Sequence, residues 1–105
     1  MNRATLEIIA RRLKALAEPT RLEILQEIEA QELCVSEIVE RVGGSQANVS
    51  KHLGVLRNNG LVSSRREGMN VFYRIEDGAV FGVCQLMCRC VEQQALRAVE
   101  SLETA

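Results

Sequence analysis

Apolar residues recur at spacings of three and four along the first part of the chain, a pattern that predicts amphipathic helices. The first predicted helix spans Arg3 to Ala17, and its apolar stripe consists of Leu6, Ile9, Leu13 and Leu16. Pro19 suits the first position of a second helix, because its missing N–H has no partner there. This second helix is expected to end between residues 29 and 32, and a short third helix follows from Val35 to Val42.

A fourth helix is predicted immediately after two glycines. Ser45 is a favourable N-cap residue, and the helix that it opens runs from Gln46 to Asn59. Its inner stripe consists of Val49, Leu53 and Leu56, and Gly60 closes it. Two short helices joined by a Gly-Gly-Ser turn are typical of a helix-turn-helix, in which the second helix enters the major groove of DNA.

Two stretches with β character follow, from Leu61 to Arg66 and from Asn70 to Ile75. Side chains of the second stretch alternate with a period of two, and a Gly-containing segment between the stretches predicts a β-hairpin. The predicted tip of the hairpin is basic, because it carries Arg65, Arg66 and, across the strand pair, Arg74. The expected fold is therefore mainly α with a small β-hairpin wing, a winged helix-turn-helix.

The last predicted helix is long, running from Gly78 to Leu102 with Asp77 as its cap. Apolar residues recur along its whole length, and a domain of this size is too small to cover them all. Together with the apolar stripe of the first helix, this predicts a homodimer that forms through the first and last helices. Residues 1–105 are expected to form one domain that both binds DNA and dimerises.

Composition narrows the class of protein. The chain has 105 residues, 47% hydrophobic and 26% charged, which is typical of a globular domain. No apolar run approaches the roughly 18 residues of a membrane span, so no membrane association is expected. The first residues lack the apolar stretch of a signal peptide, which predicts a cytoplasmic protein whose four cysteines are thiols, metal ligands or redox groups.

The formal net charge of −1 hides a basic middle third. Residues 45–75 carry five basic side chains and one acidic side chain, a net charge of +4, whereas the segments on either side are net acidic. A basic region within an acidic protein favours a surface that faces a polyanion.

These elements and their order resemble the ArsR/SmtB family of dimeric winged-helix repressors, over nearly the whole chain. The segments that carry the resemblance are AEPTRLEIL at 17–25, ELCV at 32–35, SQANVSKHL at 45–53, LRNNGLV at 56–62 and VFYRI at 71–75. The resemblance implies a homodimer that binds double-stranded operator DNA and is released by an inducer. It also implies that residues 46–59 form the recognition helix.

The candidate DNA-binding residues are polar or basic. They are Ser45, Gln46, Asn48, Ser50, Lys51, His52, Arg57, Arg65 and Arg66. Gln46 or Asn48 has the amide that pairs with adenine, whereas Lys51 and the arginines suit phosphates. Ser45 also suits a pure capping role, and His52 also suits a partly buried structural role.

The cysteines are the candidate inducer site. Cys84 and Cys88 differ by about 40° around a helix and share a face, whereas Cys90 lies about 200° beyond Cys88. Thiolates suit soft ions such as As(III), Sb(III), Cd(II) or Cu(I), so Cys84 and Cys88 are the preferred ligands, with Cys34 and Cys90 as weaker candidates. Disulfide or persulfide formation is the alternative chemistry, and burial as small apolar residues is a third. No obligatory cofactor is expected.

Comparison with the family's known metal sites leaves the cysteine chemistry open. Many metal-sensing members have Cys-Val-Cys at the third helix, where this chain has Cys34-Val35-Ser36. A zinc site of the family type is not expected either, because Ala79 and Cys90 stand where relatives have histidines. No nucleophile, base and acid set suggests an enzyme. The remaining alternative is a winged-helix module that binds protein instead of DNA.

Overall fold

The computed structural model describes residues 1–104, which form five helices and a three-stranded sheet. The elements in chain order are α1 (Arg3–Leu16), α2 (Pro19–Ile28), β1 (Leu33–Cys34), α3 (Val35–Val42), α4 (Gln46–Asn58), β2 (Val62–Glu67), β3 (Asn70–Ile75) and α5 (Ala79–Thr104). The predicted fold class, mainly helical with a small β wing, is confirmed.

Polar side chains cap the helices at the places that the sequence indicates. Pro19 is the first residue of α2, and the side chain of Glu18 accepts a hydrogen bond from Arg21 N. Ser45 Oγ accepts from Asn48 N at 3.0 Å, so the predicted N-cap of α4 is confirmed. Asp77 Oδ1 accepts from Ala79 N at 2.9 Å at the start of α5. Four helices end within two residues of their predicted ends, and α2 ends at Ile28, just before the range predicted for its end.

The sheet contains a strand that the sequence pattern did not predict. Its order is β1-β3-β2, all antiparallel, and β1 pairs Leu33 with Tyr73. Because β1 has only two residues, it is too short to show an alternating pattern. The wing turn consists of Gly68 and Met69, and Gly68 adopts a φ of +63°, which favours glycine. The predicted position of Arg74 at the hairpin tip was wrong, because Arg74 pairs with Ser63 near the base.

The core lies where α2, α3 and α4 meet the sheet. The least exposed side chains belong to all of these elements, namely Ile24, Leu25, Ile28, Leu33, Ile38, Val49, Leu53 and Leu56. The last three belong to the inner stripe predicted for α4, and each is 0% exposed. Their burial fixes which side of α4 faces solvent, because an α-helix presents opposite faces to the core and to water.

Arg21 of α2 ties three elements together. Its Nε donates to the Ala15 carbonyl at 2.6 Å and its Nη2 to the Lys14 carbonyl at 3.4 Å, both at the end of α1. Its Nη1 lies 3.3 Å from Nδ1 of His52, on α4. One planar guanidinium therefore satisfies the Ala15 carbonyl, adds a second donor to the Lys14 carbonyl, which also accepts from Ala17 N, and fixes α1 relative to α4.

Helix α5 extends beyond the rest of the domain. Its 26 residues span about 39 Å, and the described chain measures 62 × 39 × 22 Å. The radius of gyration is 16.8 Å, whereas a compact domain of 100 residues has about 13 Å. Apolar side chains of α5 stay exposed, including Met87 at 60% and Val91 at 60%. Within residues 1–104 no helix has the length and apolar character needed to cross a membrane.

Replacement of Arg21 with alanine tests the link between α1 and α4. The change removes the donors to Ala15 and His52, and we expect the free energy of unfolding to fall by about 1–3 kcal/mol, as for other hydrogen bonds to charged groups. Chemical denaturation at a fixed protein concentration measures this loss. Arg41→Ala is the control, because its 3.4 Å ion pair with Glu27 is partly exposed to solvent and should contribute less than about 1 kcal/mol. Equal losses in the two variants would contradict a tying role for Arg21.

Candidate functional site

The outer face of α4 is polar and accessible near its N-terminus. Gln46, Asn48, Ser50 and Lys51 are all exposed, while Val49 on the opposite side is fully buried. The first turn of a helix also presents free backbone N–H groups, which favour anions. Amide, hydroxyl and ammonium groups on one open face are the types of side chain that read base edges and hold phosphates.

His52 occupies a different position from these four residues. Its side chain is only 15% exposed, and Nε2 lies 3.9 Å from Oε2 of Glu18. Nδ1 lies near Arg21, so each ring nitrogen faces a charged residue of the chain itself. This geometry favours the structural role for His52, as a link between α4 and the start of α2.

Arg65 on the wing is engaged by two carboxylates. Its Nη2 lies 2.8 Å from Glu32 Oε2, and its Nη1 lies 2.8 Å from Glu67 Oε2. The guanidinium also lies 4.9 Å from the centre of the Phe72 ring, within the range of a cation–π contact. The hydrogen bond from Arg65 lowers the pKa of Glu32 below its ordinary value. Two carboxylates thus compensate the charge of Arg65, which holds the wing against the loop before β1.

Arg66 and Arg74 differ from Arg65 in their surroundings. Both are exposed, and Arg74 Nε donates to Ser63 Oγ at 3.0 Å, which is a neutral partner. Arg66 lies opposite Val71 in the strand pair, close to the turn of the wing. Arg74 also acts on the Glu32 carboxylate, so the basic character of the wing rests most on Arg66.

The fold also places two basic residues of α1 next to Arg57, which the sequence pattern did not indicate. Arg11, Arg12 and Arg57 line one open notch of about 450 Å³, together with Ile8 and residues 58–60. Nothing in the local sequence links α1 to the end of α4, and the first 44 residues are net acidic. Only the packing of α1 beside α4 shows that these positive charges form one surface.

Cys34 lies on the same side of the domain as the N-terminus of α4. It lines a cleft of about 180 Å³ together with Gln46 and the wing residues Met69, Asn70 and Val71. The thiol is buried, with Sγ 3.2 Å from the Ser36 hydroxyl, and the Cys34 N–H donates to Glu37 Oε1. That hydrogen bond lowers the pKa of Glu37. Cys34 therefore starts α3 and lies in a different cleft from the cysteines of α5.

Cys84 and Cys88 lie together in a groove between α2 and α5. The groove has a volume of about 280 Å³, and its lining consists of Leu22, Leu25, Gln26, Glu29, Phe81, Cys84, Gln85 and Cys88. Cys88 Sγ donates to Glu92 Oε1 at 3.4 Å, and this carboxylate raises the pKa of the thiol. The prediction that Cys84 and Cys88 share a face is confirmed.

Cys90 does not line this groove and is exposed elsewhere on α5. Across residues 1–104, no three His, Cys, Asp or Glu side chains converge in an arrangement that would hold a metal ion. A single chain therefore brings together two of the four candidate thiols, Cys84 and Cys88. Cys34 and Cys90 do not join them in one site within the same chain.

Comparison with known proteins agrees with this architecture. Residues 18–64 match the model of the family described as "Bacterial regulatory protein, arsR family". The chain is 41% identical over 91 residues to a probable mercury resistance operon repressor of Streptomyces lividans, an alignment that covers 87% of this chain and 72% of that protein. It is 40% identical over 77 residues to the transcriptional activator HlyU of Vibrio cholerae, covering 73% of this chain and 71% of that one.

Solved structures give the same result. The homodimeric winged helix-turn-helix DNA-binding domain of Mb0332 from Mycobacterium bovis superposes with a TM-score of 0.78 at 34% identity, covering 88% of this chain and 85% of that one. HlyU from Vibrio cholerae superposes with a TM-score of 0.74 at 36% identity, covering 86% and 97% respectively. The sequence, the secondary structure and the relatives of this chain agree. The chain belongs to the arsR family of bacterial regulatory proteins and has a winged helix-turn-helix fold.

Proposed function

We propose that this protein is a homodimeric transcriptional repressor that binds double-stranded operator DNA and is released by an inducer that reacts with its α5 thiols. The observation that carries the DNA-binding part is the position of α4. Its apolar stripe is completely buried, so its polar N-terminal half stands free at the surface. A helix in this setting is the element that enters the major groove in helix-turn-helix proteins.

Each candidate residue has a proposed task at the DNA. Gln46 and Asn48 have the amides that pair with adenine edges, and Ser50 suits either a base or a phosphate. Lys51, Arg57 and Arg66 supply positive charge to phosphates, while Ser45 contributes mainly as the cap of α4. Arg65 contributes less, because Glu32 and Glu67 already compensate its charge.

A second copy of the chain is the proposed partner for the exposed apolar side chains of α1 and α5. On α1 they are Leu6, Ile8, Ile9 and Leu13, and on α5 they are Val83, Leu86, Met87, Val91, Leu96, Val99 and Leu102. Large contiguous apolar patches are rare on monomers. The related domain of Mb0332 is described as homodimeric, which supports the same assembly here. Two copies would also present two recognition helices to a palindromic site.

The proposed inducer reacts at Cys84 and Cys88, the only pair of candidate thiols that shares one groove in the described part of the chain. A relative from Streptomyces lividans is named for mercury resistance, and mercury, arsenic and cadmium are soft elements that thiolates bind. Helix α5 belongs to the proposed dimer interface, so ligand binding there would change how the two recognition helices are spaced.

Redox sensing is the second candidate function, and the same two thiols favour it. Two cysteines one helical turn apart suit a disulfide or persulfide chemistry that needs no metal. The hydrogen bond to Glu92 raises the pKa of the Cys88 thiol, which lowers the fraction of thiolate available for oxidation. Ligation of a soft ion requires the same thiolate, so this environment slows both chemistries.

Dimerisation is tested with a charge on the exposed face of α5. Val91→Asp places a carboxylate where an apolar contact is proposed, and we expect the dimer dissociation constant to rise at least about tenfold, because a buried unpaired charge costs more than about 1.4 kcal/mol. Sedimentation equilibrium measures this constant. Gln31→Asp is the control, as it adds the same charge at an exposed position outside α1 and α5. A Val91→Asp protein that dimerises as tightly as the unmodified chain would rule out this interface.

DNA binding is tested by fluorescence anisotropy on a duplex from the region upstream of the chain's own gene. Lys51→Ala and Arg66→Ala should each reduce the slope of log affinity against log salt by about 2 per dimer, since one lost phosphate contact changes it by about 0.9. Arg65→Ala should change the slope less. Arg97→Ala, on α5, is the control and should leave the slope unchanged. If Lys51 and Arg66 behave like Arg97, the proposed DNA surface is wrong.

Inducer release is tested on the same complex under full reduction. As(III) and Cd(II) are added in parallel with an oxidant and a persulfide donor. We expect the metal ions to release DNA from the unmodified protein, and expect Cys84→Ser and Cys88→Ser to prevent that release. Cys90→Ser and Cys34→Ser are controls that should respond normally. Release by the oxidant or persulfide alone would favour the redox candidate, and no release by any agent would exclude thiol sensing.

A further inference from the structure

The notch between α1 and the end of α4 carries three arginines that belong to no ion pair. Arg11, Arg12 and Arg57 line this open notch of about 450 Å³, and all three are exposed. None of the ion pairs formed within residues 1–104 includes any of them. The other lining residues are uncharged, namely Ile8, Asn58, Asn59 and Gly60. The described part of the chain therefore leaves three positive charges here without a carboxylate to compensate them.

This lack of compensation sets the notch apart from other arginines of the chain. Arg3, on the same helix α1, lies 3.3 Å from Glu7, and Arg65 on the wing contacts two carboxylates. Three like charges close together raise the local positive potential, so the notch attracts anions. Planar guanidinium groups also match the oxygen atoms of a phosphate group. The notch is therefore suited to phosphate.

The turn after α4 gives Arg12 its place in the notch. Gly60 adopts a φ of +73°, and a Cβ atom at this position would lie 3.3 Å from Nη2 of Arg12. A side chain at residue 60 would therefore be strained and would crowd the guanidinium. The C-terminus of α4 carries a partial negative charge of only about half an elementary charge, so it compensates a small part of the three positive charges.

Arg57 also continues the side of α4 that carries Gln46 and Ser50. Spacings of seven and four residues place these three within about 40° of one another around the helix. Gln46 and Arg57 are eleven residues apart, a rise of about 16 Å, whereas the major groove of DNA is about 12 Å wide. A helix whose Gln46 end reaches base edges can therefore bring Arg57, and the notch beside it, to the backbone that borders the groove.

We propose that the notch binds the phosphate backbone of operator DNA, so that Arg11 and Arg12 of α1 join Arg57 in contacting phosphates beside the base pairs that α4 reads. This inference rests on the proposed DNA binding and adds α1 to the DNA surface. Arg11 lies about 160° around α1 from both Ile9 and Leu13, whose exposed side chains belong to the proposed dimer interface. The two sides of α1 can therefore serve the two surfaces at once.

The salt dependence of DNA affinity measures the contribution of the notch, in the anisotropy assay on the upstream duplex. Arg11→Ala and Arg12→Ala should each reduce the slope of log affinity against log salt by about 2 per dimer, and the double variant by about 4. Arg12→Lys keeps the charge and should retain the slope. Arg3→Ala is the control on the same helix, because Arg3 pairs with Glu7 outside the notch.

Ethylation interference locates the contacts on the DNA. An ethyl group removes the charge of one phosphate, so it weakens binding only where the protein contacts that phosphate. We expect phosphates in both half-sites that interfere with the unmodified protein and not with the Arg11→Ala/Arg12→Ala double variant. Sedimentation equilibrium should give this variant the dimer dissociation constant of the unmodified chain. Loss of the dimer would overturn the placement of the notch outside the dimer interface.

The outcomes separate this inference from the proposed function. Unchanged slopes for Arg11→Ala and Arg12→Ala, together with a reduced slope for Lys51→Ala, would overturn the notch contact and leave the surface of α4 in place. Unchanged slopes for all three would refute the proposed DNA surface as well. Calorimetry with inorganic phosphate tests a small anion as the occupant. Phosphate binding that requires Arg11 and Arg12, with unchanged DNA slopes, would overturn the backbone contact.

Discussion

The architecture depends above all on burial of the inner stripe of α4. Val49, Leu53 and Leu56 are completely removed from water, and they lie at the centre of a core that includes α2, α3 and the sheet. Because this stripe is buried, the opposite, polar side of α4 faces solvent. The surface proposed to bind DNA is thus a consequence of core packing, and its orientation is as stable as the core itself.

Arg21 reinforces this orientation from the other side of the domain. It joins the last carbonyls of α1 to His52 on α4, so a helix of the proposed dimer interface and the helix of the proposed DNA surface share one guanidinium. The engagement of His52 within this link also explains why a single polar residue of α4 differs from its exposed neighbours.

Carboxylates affect a functional candidate in two places, Arg65 on the wing and Cys88 on α5. On the wing, Arg65 is compensated by Glu32 and Glu67 and acts as a brace, whereas Arg66 stays open at the surface. On α5, the carboxylate of Glu92 accepts a hydrogen bond from Cys88 and raises the pKa of its thiol. The residue type alone would suggest a DNA contact for Arg65 and a reactive thiol for Cys88. The neighbouring carboxylates change both expectations.

The sequence by itself determined the helices, the caps at Ser45 and Asp77, the hairpin and the shared face of Cys84 and Cys88, because periodicity and capping are local properties of the chain. Other features were decided only by the tertiary structure: the pairing of the two-residue strand β1, the compensation of Arg65 by Glu32, the notch of Arg11, Arg12 and Arg57, and the apolar groove around the thiols. Each joins residues far apart in the chain, and no local pattern encodes which distant side chains the core will bring together.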